Sequence, residues 1–385
     1  VSETSPSALT VLQEHELVLQ QEVRRFADEQ IRPLVHDADQ QAKLPEEALK
    51  ALFEMGLMGV EIPEELGGAG MEFFSAALVI EELARVDPAV AVVADVQNTL
   101  INNILLLKGN DAQKKEWCPR LAENTVGAFA LSEADAGSDA FALKARAVAD
   151  GDDYKISGNK MWITNGIEAG LYIVFANIDP DAGYKGITAF LVPRDAAGLT
   201  IGKKEDKLGI RASSTVELIL EDVRVPRSAI IGEPGKGYKI AIEALNEGRI
   251  GIGAQMVGLA QGALDAAVSY AKERKQFGRS ISEFQGVQFA LAEMAIEVEA
   301  ARLMVYNACR LRDGGKPFVQ QAAMAKWFTA EVAERTASRA VDLFGGYGFS
   351  KDYPVEKFYR DAKIGKIYEG TAFMQLNTVA KNLLK

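Results

Sequence analysis

The sequence predicts a mainly α-helical protein with a central β-domain. An N-terminal helical domain is expected over 1–125, a small antiparallel β-domain over 126–235, and a C-terminal four-helix bundle over 236–385. Three observations carry this. Apolar residues recur at helical spacing up to about residue 125. From about Val126 the pattern changes to short β-rich runs cut by Gly, Pro and Asp. After Gly235-Lys236-Gly237 the helical period resumes and persists to Lys385. The order helical, β, helical does not alternate as βαβ units do, which argues against a doubly wound parallel sheet.

In the first segment, Leu17, Leu19, Val23, Phe26 and Ile31 mark a helix over 14–35, with Pro33 at its end. Pro45-Glu46-Glu47 puts proline and acids in a first turn, followed by Ala48, Leu49, Leu52 and Phe53. Gly67-Gly68-Ala69-Gly70 reads as a loop, and 73–86 as a helix closed by Asp87-Pro88. In the middle segment 143–148 alternates, Asp150-Gly151 is a hairpin-turn signal, and 154–158 returns. Further strands are expected at 171–176, 187–192 and 216–220. In the last segment, helices are expected over 238–272, 283–312, 317–344 and 355–383, with glycine clusters at 314–315 and 345–348 between the last three.

Composition narrows the function classes. A chain of 385 residues is too long for one small core and suits two or three packed subdomains. The net charge of −11 argues against nucleic acid or an anionic membrane as the main partner, while leaving room for a local basic pocket. Cys118 and Cys309 lie far apart in helix-like sequence, so no disulfide framework is expected and a reducing compartment is. The only histidines, His15 and His36, sit in a charged helical stretch and read as solvated. That removes the Ser-His and Cys-His catalytic pairs and any zinc spacing, so no metal is expected. The most apolar stretch identified, 250–264, is interrupted by Gln255 and Gln261, and no membrane span is predicted. No signal-peptide pattern opens the chain, and Val1 in place of Met leaves a processed end open. Neither G-x-G-x-x-G nor G-x-x-x-x-G-K-[ST] occurs, so a nucleotide cofactor would have to be held another way.

Five motifs stand out, each with a bland reading beside it. The small and hydroxyl residues of 131–139 leave backbone N–H groups free for a phosphate or a flavin edge, or simply make a polar loop. Trp162-Ile163-Thr164-Asn165 closes a strand, where Trp162 is either core or a platform for a flat ring. Asn246-Glu247-Gly248-Arg249 interrupts an apolar helix, as polar surface or as an Arg ordering a carboxylate or ligand. Arg274-Lys275-Gln276-Phe277-Gly278 follows a helix and precedes Gln285, as a solvated turn or as a pyrophosphate and ring clamp. Tyr368-Glu369-Gly370-Thr371 lies between apolar helical stretches, its carboxylate a cap or a base facing a pocket.

In order and spacing, these motifs together resemble the acyl-CoA dehydrogenases, flavoproteins that desaturate acyl-CoA thioesters between the α and β carbons. The likeness spans essentially the whole chain. It rests on 131–139, 162–165, Gly209-Ile210-Arg211-Ala212-Ser213-Ser214-Thr215, 274–278, Gly345-Gly346-Tyr347-Gly348 and 368–371. Within the family the chain is most similar to the short/branched-chain (2-methylacyl) branch, through 183–188, 246–252 and 351–357, while straight short-chain members share 202–209.

The resemblance implies the fold of that family, FAD as cofactor, and Glu369 as the base that takes the α-proton while flavin N5 takes the β-hydride. Some relatives carry the base on the residue before the arginine matching Arg249. Here that residue is Gly248, and Glu247, one position earlier on a helix, points about 100° away. Flavin contacts carry over as Phe129, Leu131, Ser132, Ser138, Trp162, Ile163, Thr164 (near N5) and Thr371. Arg274, Phe277, Gln285, Gly345 and Gly346 match residues that reach the FAD of a neighbouring subunit, and Asp342, Leu343 and Phe344 are assigned to the cofactor with them. Substrate contacts carry over as Ser138, Tyr184, Tyr238, Asn246, Glu247, Gly248, Arg249, Tyr368 and Gly370. Phe373 departs from the family pattern, which puts its flavin contact in doubt and leaves Thr371 the safer assignment.

The implied partners are an acyl-CoA substrate, electron-transfer flavoprotein and three further copies of the chain in a dimer of dimers. The implied place is the mitochondrial matrix for a eukaryotic source and the cytoplasm for a bacterial one. The nearest rival is the same site run backwards as a 2-methyl-branched enoyl-CoA reductase. A non-catalytic helical binding protein is a remote third.

Overall fold

The computed structural model describes residues 8–384. Its first helical stretch does not stop at Pro33. Helix α1 (Glu14–Phe26) runs into a π turn over Ala27–Ile31, a 3-10 turn over Arg32–Leu34, and helix α2 (Val35–Gln41). Proline lacks an N–H, and early in a new helical turn that donor has no partner to lose. The stop comes instead at Ala42, whose φ of 51° turns the chain left-handed. Helices α3 (Glu46–Glu54), α4 (Phe73–Ala84), α5 (Pro88–Asp95), α6 (Asn103–Lys108) and α7 (Asp111–Glu123) complete the N-terminal segment.

Helices α5 and α6 are joined by a π segment over Val96–Asn102 into one helical run, Pro88–Lys108. This run of 21 residues, not 250–264, is among the described residues the one long and apolar enough to cross a membrane, with mean hydropathy 1.5 over its most apolar window. It is a core element of the fold, since 89% of its most apolar window is buried inside the protein. Its polar side chains are used internally: Asn98 donates to the Leu57 carbonyl at 2.8 Å, Asn102 to Met58 at 2.8 Å and Gln97 to Leu121 at 2.9 Å.

The middle segment holds strands β1 (Val126–Ala130), β2 (Arg146–Asp150), β3 (Asp153–Thr164), β4 (Ala169–Asn177), β5 (Ile187–Pro193), β6 (Leu199–Lys204), β7 (Thr215–Pro226) and β8 (Ile230–Ile231). The sheet runs β6-β7-β3-β2-β4-β5-β8, with β1 beside β4. It is not wholly antiparallel, as the alternation pattern suggested: β1 and β2 both pair with β4 in parallel. Neither pair is joined by a hairpin: β3 lies between β2 and β4 in the chain, and both β2 and β3 lie between β1 and β4.

The C-terminal segment begins with α8 (Gly237–Glu273), followed by a small hairpin of β9 (Lys275–Gln276) and β10 (Arg279–Ser280), then α9 (Gln285–Asp313) and α10 (Val319–Phe344). The helix expected over 355–383 is broken. Helix α11 (Val355–Ala362) gives way to a 3-10 turn, and α12 (Ala372–Leu383) starts afresh beyond Glu369 and Gly370, whose φ values are 52° and 86°. Left-handed backbone at a non-glycine residue is unfavourable, so neighbouring contacts must hold it.

Two cores result, and they do not follow the three segments. In one, α4 and α5 pack with α8, α9 and α10, so that Phe73, Leu78 and Ile80 meet Met256, Leu259, Val305 and Ala333. In the other, the sheet packs on α7 and the 96–105 run through Trp117, Leu121, Ile101, Phe175 and Phe190. Each such side chain, fully buried, contributes roughly 1.5–3 kcal/mol. Buried ion pairs tie the segments together. Lys357 on α11 bridges Asp87 and Asp361, each at 2.6 Å, and Asp361 accepts the N–H of Ile210 at 2.5 Å. His15 and His36 are exposed, and Cys118 and Cys309 are buried free thiols.

Candidate active site

The break between α11 and α12 is where the chemistry-bearing groups converge. The Glu369–Gly370 turn is pinned through its carbonyls. Gln375 donates to the Glu369 carbonyl at 3.1 Å and to the Gly370 carbonyl at 2.8 Å, and Lys326 Nζ donates to the Gly370 carbonyl at 2.7 Å. The Glu369 carboxylate lies against α8 at Gly248. A Cβ at that position would stand 2.7 Å from Glu369 Oε2 and 3.0 Å from the Leu100 side chain. Oε2 is shut off from solvent and accepts no hydrogen bond among the described residues. Burial pushes the Glu369 carboxyl up to about 7, against the opposing pull of Lys326 and Arg249.

Arg249 stands one residue on from Gly248. Its Nη1 donates to Asn246 Oδ1 at 2.7 Å, while its buried Nε has no partner among the described residues. One turn further along α8, Gly251 faces Asp95: a Cβ there would stand 1.9 Å from Asp95 Oδ1. Asp95 accepts from Thr99 at 2.9 Å, and burial, then the Glu369 charge, holds its carboxyl well above the usual range. Tyr368 donates its hydroxyl to Gln255, whose amide is held by the Pro88 carbonyl at 2.7 Å. Gly248 and Gly251 are thus the two gaps on one helix face through which two carboxyls approach.

Glu247 is not part of this cluster. It points into a buried network, taking Arg312 Nε at 3.0 Å and Asn103 Nδ2 at 2.6 Å. The 100° step along the helix puts it against α9 and away from Glu369, so its sequence assignment to substrate finds no support in its contacts. Tyr184 and Tyr238 do meet, edge to face at 5.0 Å, at the rim where α8 begins. Ser138 is exposed on the 131–139 loop.

That loop is framed from beneath. Lys160, fully buried on β3, donates to Glu133 at 2.8 Å and to the Leu131 carbonyl at 3.0 Å. Glu133 in turn accepts the N–H groups of Lys144 at 2.6 Å and Ala145 at 3.0 Å. Ser132 accepts the Met161 N–H at 2.9 Å, which sets the loop beside the end of β3. There the pairing with β7 slips between Lys160 and Ile163, and Trp162 takes φ 64°. This bulge turns the indole outward, 57% exposed, so Trp162 is not core. Ile163 and Leu131 are buried, which leaves their backbone as the part open to a ligand, whereas Thr164 and Thr371 are half-buried. Phe129 packs on Phe175 at 5.0 Å.

The remaining cofactor candidates lie elsewhere. Arg274, Leu343, Phe344, Gly345 and Gly346 line a hollow of about 520 Å³ together with Tyr270 and Tyr347. Tyr270 and Phe344 stack at 4.0 Å, and a Cβ at Gly345 or Gly346 would meet nothing, so the space over them is open. Phe277, 93% exposed at the tip of the β9–β10 hairpin, Gln285 and Asp342 face outward beside this hollow without lining it. At 1.5 Å rise per residue, the α10 segment from Lys326 to Phe344 spans ~27 Å, so the hollow and Glu369 sit at opposite ends of that helix. A single chain does not bring the two sets together.

The donor set suits a dinucleotide carrying a flat ring. An outward-turned indole and a loop of free hydroxyls stand at one end, and a guanidinium over open glycine backbone stands at the other. Among the described residues no group of three or more His, Cys, Asp or Glu could hold a metal. The sequence reading missed Lys326, Gln375, Asp95 and Gln255. Lys326 and Asp95 had a signal: each is a lone charge in a long apolar helical run, where an ionisable group needs a reason.

The comparisons with known proteins agree along the full length. Acyl-CoA dehydrogenase family models match as the N-terminal domain over 13–125, the middle domain over 128–223 and the C-terminal domain over 235–384. A probable short/branched chain specific acyl-CoA dehydrogenase of Dictyostelium discoideum is 54% identical over 98% of this chain and 92% of its own. The mitochondrial short/branched chain specific enzyme of Rattus norvegicus is 51% identical over 97% of this chain and 87% of its own. The butyryl-CoA dehydrogenase of Megasphaera elsdenii superposes with a TM-score of 0.96 at 41% identity, over 97% of this chain and 99% of its own.

Proposed function

The chain belongs to the acyl-CoA dehydrogenase family, FAD-dependent oxidoreductases, and we propose that it binds FAD and desaturates short or 2-methyl-branched acyl-CoA thioesters with Glu369 as the base. One observation carries the assignment: a carboxylate with a desolvated, unpaired oxygen, fixed by a left-handed turn against a glycine gap in α8. A hydrogen-bonded or solvated carboxylate would be a poor acceptor for a carbon-bound proton. This one has lost water without gaining a donor, and burial brings its proton affinity to about 7, where a general base works best.

FAD, when bound, supplies the hydride acceptor that no side chain provides. The chain's own residues do the rest. The Glu369 N–H makes no hydrogen bond among the described residues and is free to meet the thioester oxygen. Stabilising the charge that develops there would act as an oxyanion hole does. Arg249 holds a positive charge close to the base, and its buried Nε, without a partner among the described residues, is a further donor left for a ligand. Tyr184 and Tyr238 offer an aromatic edge at the mouth, where the CoA moiety would enter.

The glycine gap at Gly248 leaves room for a short or α-branched acyl chain beside the carboxylate. The reduced cofactor would pass its electrons to electron-transfer flavoprotein. The outward-facing hollow at Arg274, Gly345 and Gly346 would receive the FAD of a second copy, so that a dimer of dimers completes each site. A panel of acyl-CoAs with an artificial electron carrier tests the substrate reading. Higher kcat/KM is expected for 2-methylbutanoyl-CoA or butanoyl-CoA than for octanoyl-CoA. A preference for octanoyl-CoA would overturn the short-chain assignment.

A further inference from the structure

One buried charge beside the base has no part in the scheme above. Lys326, on α10, is fully buried among apolar neighbours, with Ala322, Ala323, Ala325 and Ala330 around it on the helix. An unpaired ammonium is among the least tolerable groups in a protein interior, and it is normally placed against a carboxylate. Yet the only hydrogen bond Lys326 Nζ makes among the described residues is to a backbone carbonyl, that of Gly370, at 2.7 Å. The carboxylate whose charge it feels is Glu369, the next residue back, and Glu369 feels Lys326 as the larger of its two cations. Glu369 Oε2 meanwhile has no donor among the described residues. Lys326 therefore grips the turn by its backbone and faces the base as a charge, without covering the oxygen that must react.

We propose that Lys326 is a positioning residue for the dehydrogenation: its ammonium locks the left-handed Glu369–Gly370 turn through the Gly370 carbonyl and supplies the counter-charge that keeps Glu369 ionised. The inference rests on Glu369 being the base. The other groups facing Glu369 are Arg249 from α8, Asp95 from α5 and Tyr368 from its own loop, with uncharged Gln375 from α12. Arg249 is a second cation, but its guanidinium is tethered to Asn246 on its own helix and makes no hydrogen bond to the turn among the described residues. Burial, then the Glu369 charge, holds the Asp95 carboxyl well above the usual carboxylate range, and it adds no positive charge. Lys326 is thus the one cation fixed to the turn itself. Burial pulls its own proton affinity down to about 7 even though the Glu369 charge opposes that pull, so each group favours the charged form of the other.

The test compares Lys326→Gln, Lys326→Met and Lys326→Arg with the parent enzyme, all purified with FAD. The readout is the rate at which substrate bleaches the flavin under anaerobic conditions, followed across pH. Losing an opposite charge at close range shifts a carboxyl upward by about one unit or more. For Lys326→Gln and Lys326→Met the acid limb should therefore move to higher pH by at least about one unit, lowering the rate at pH 7 about fivefold. Raising the pH should restore much of that loss. Lys326→Arg, which keeps the charge, should hold the midpoint near that of the parent. A role limited to packing predicts loss at every pH with an unmoved midpoint, and that outcome overturns the proposal.

An independent arm needs no turnover and no Lys326 variant. In the Glu369→Gln protein, the Lys326 ammonium has lost its counter-charge, and a 15N-lysine NMR titration should show it releasing its proton at lower pH than in the parent. An unchanged titration overturns the proposal even if the Lys326 variants fail to fold. If Glu369→Gln bleaches at the parent rate, the assignment of the base falls instead, which keeps the two failures distinct.

Discussion

Gly248 on α8 and Glu369 in the turn before α12, more than a hundred residues apart, sit so close that a methyl group on the first would stand 2.7 Å from a carboxylate oxygen of the second. The glycine is therefore the space in which the carboxylate works. Gly248→Ala should push the carboxylate off its position while leaving the buried surroundings of α8 intact. The expected result is a drop in kcat of at least about tenfold, since a misplacement of about 1 Å at a reacting group can cost 10²-fold. Flavin content, read from the absorbance ratio, should be unchanged. Full activity in Gly248→Ala would show that the carboxylate has other room to move.

The second expectation concerns acidity. Burial holds Glu369 at about 7, and only the ionised form accepts a proton. The rate of anaerobic flavin bleaching should therefore rise with pH through about 7 and level off above it. Glu369→Gln keeps the shape and removes the acceptor, so bleaching should slow by about 10²–10⁴-fold or more at every pH. A flat pH profile in the parent, or a bleaching Glu369→Gln protein, would point to a different base.

The third concerns the hollow at the far end of α10. Arg274→Ala and Gln285→Ala alter groups that face outward there, with no contact to the chain's own Glu369 cluster. Each should lower FAD retention and loosen the assembly together, as seen by gel filtration and flavin absorbance on the same sample. A monomer that keeps about one FAD per chain would separate the two effects and refute a shared site.

The fourth concerns stability. Lys357 stands between two buried carboxylates, Asp87 and Asp361, each at 2.6 Å. These two charges raise its proton affinity above that of a free lysine, although burial opposes them. A lysine raised in the folded state stabilises fully at neutral pH, and that contribution fades only as pH climbs past the ordinary lysine range. Lys357→Met leaves two acids buried without a partner and should cost about 3–5 kcal/mol, the usual penalty for breaking a buried pair from one side. Thermal unfolding of the FAD-loaded protein measures it, and a change below about 1 kcal/mol would mean that water or relaxation replaces the lysine.

The sequence carried the order of helical and β segments because periodicity is a local property, and 169–177, 187–193, 237–273 and 319–344 fold much as their patterns dictate. It misjudged the places where distant contacts overrule local preference. The 355–383 stretch reads as one helix because only the isolated glycines Gly365 and Gly370 interrupt its pattern. The turn at Glu369 is held by Lys326 and Gln375, one of them on another helix. Trp162 reads as core or platform with equal force, and only a slip in the pairing of β3 with β7 turns it outward. The parallel contacts of β4 with β1 and β2 depend on where a loop ends, which no alternation pattern encodes. The carboxylate proposed as the base, Glu369, was singled out through a motif. The residues that shape its acidity were not: Lys326 approaches it from the 317–344 helix, and Asp95 from the run after Pro88, for which no separate element was read.

The ~27 Å of α10 between Lys326 and Phe344 has a genetic consequence. If each chain lends its Arg274 hollow to a neighbour's Glu369, a lesion in one region and a lesion in the other strike different sites of a mixed dimer. A Glu369→Gln chain paired with an Arg274→Ala chain would gather both defects into one site and leave the other site whole. Two inactive proteins, unfolded together and refolded, would then complement each other and regain part of the activity. Two chains with lesions in the same region would never do so. Alleles of this protein would accordingly sort into two complementation groups, divided by position along one helix.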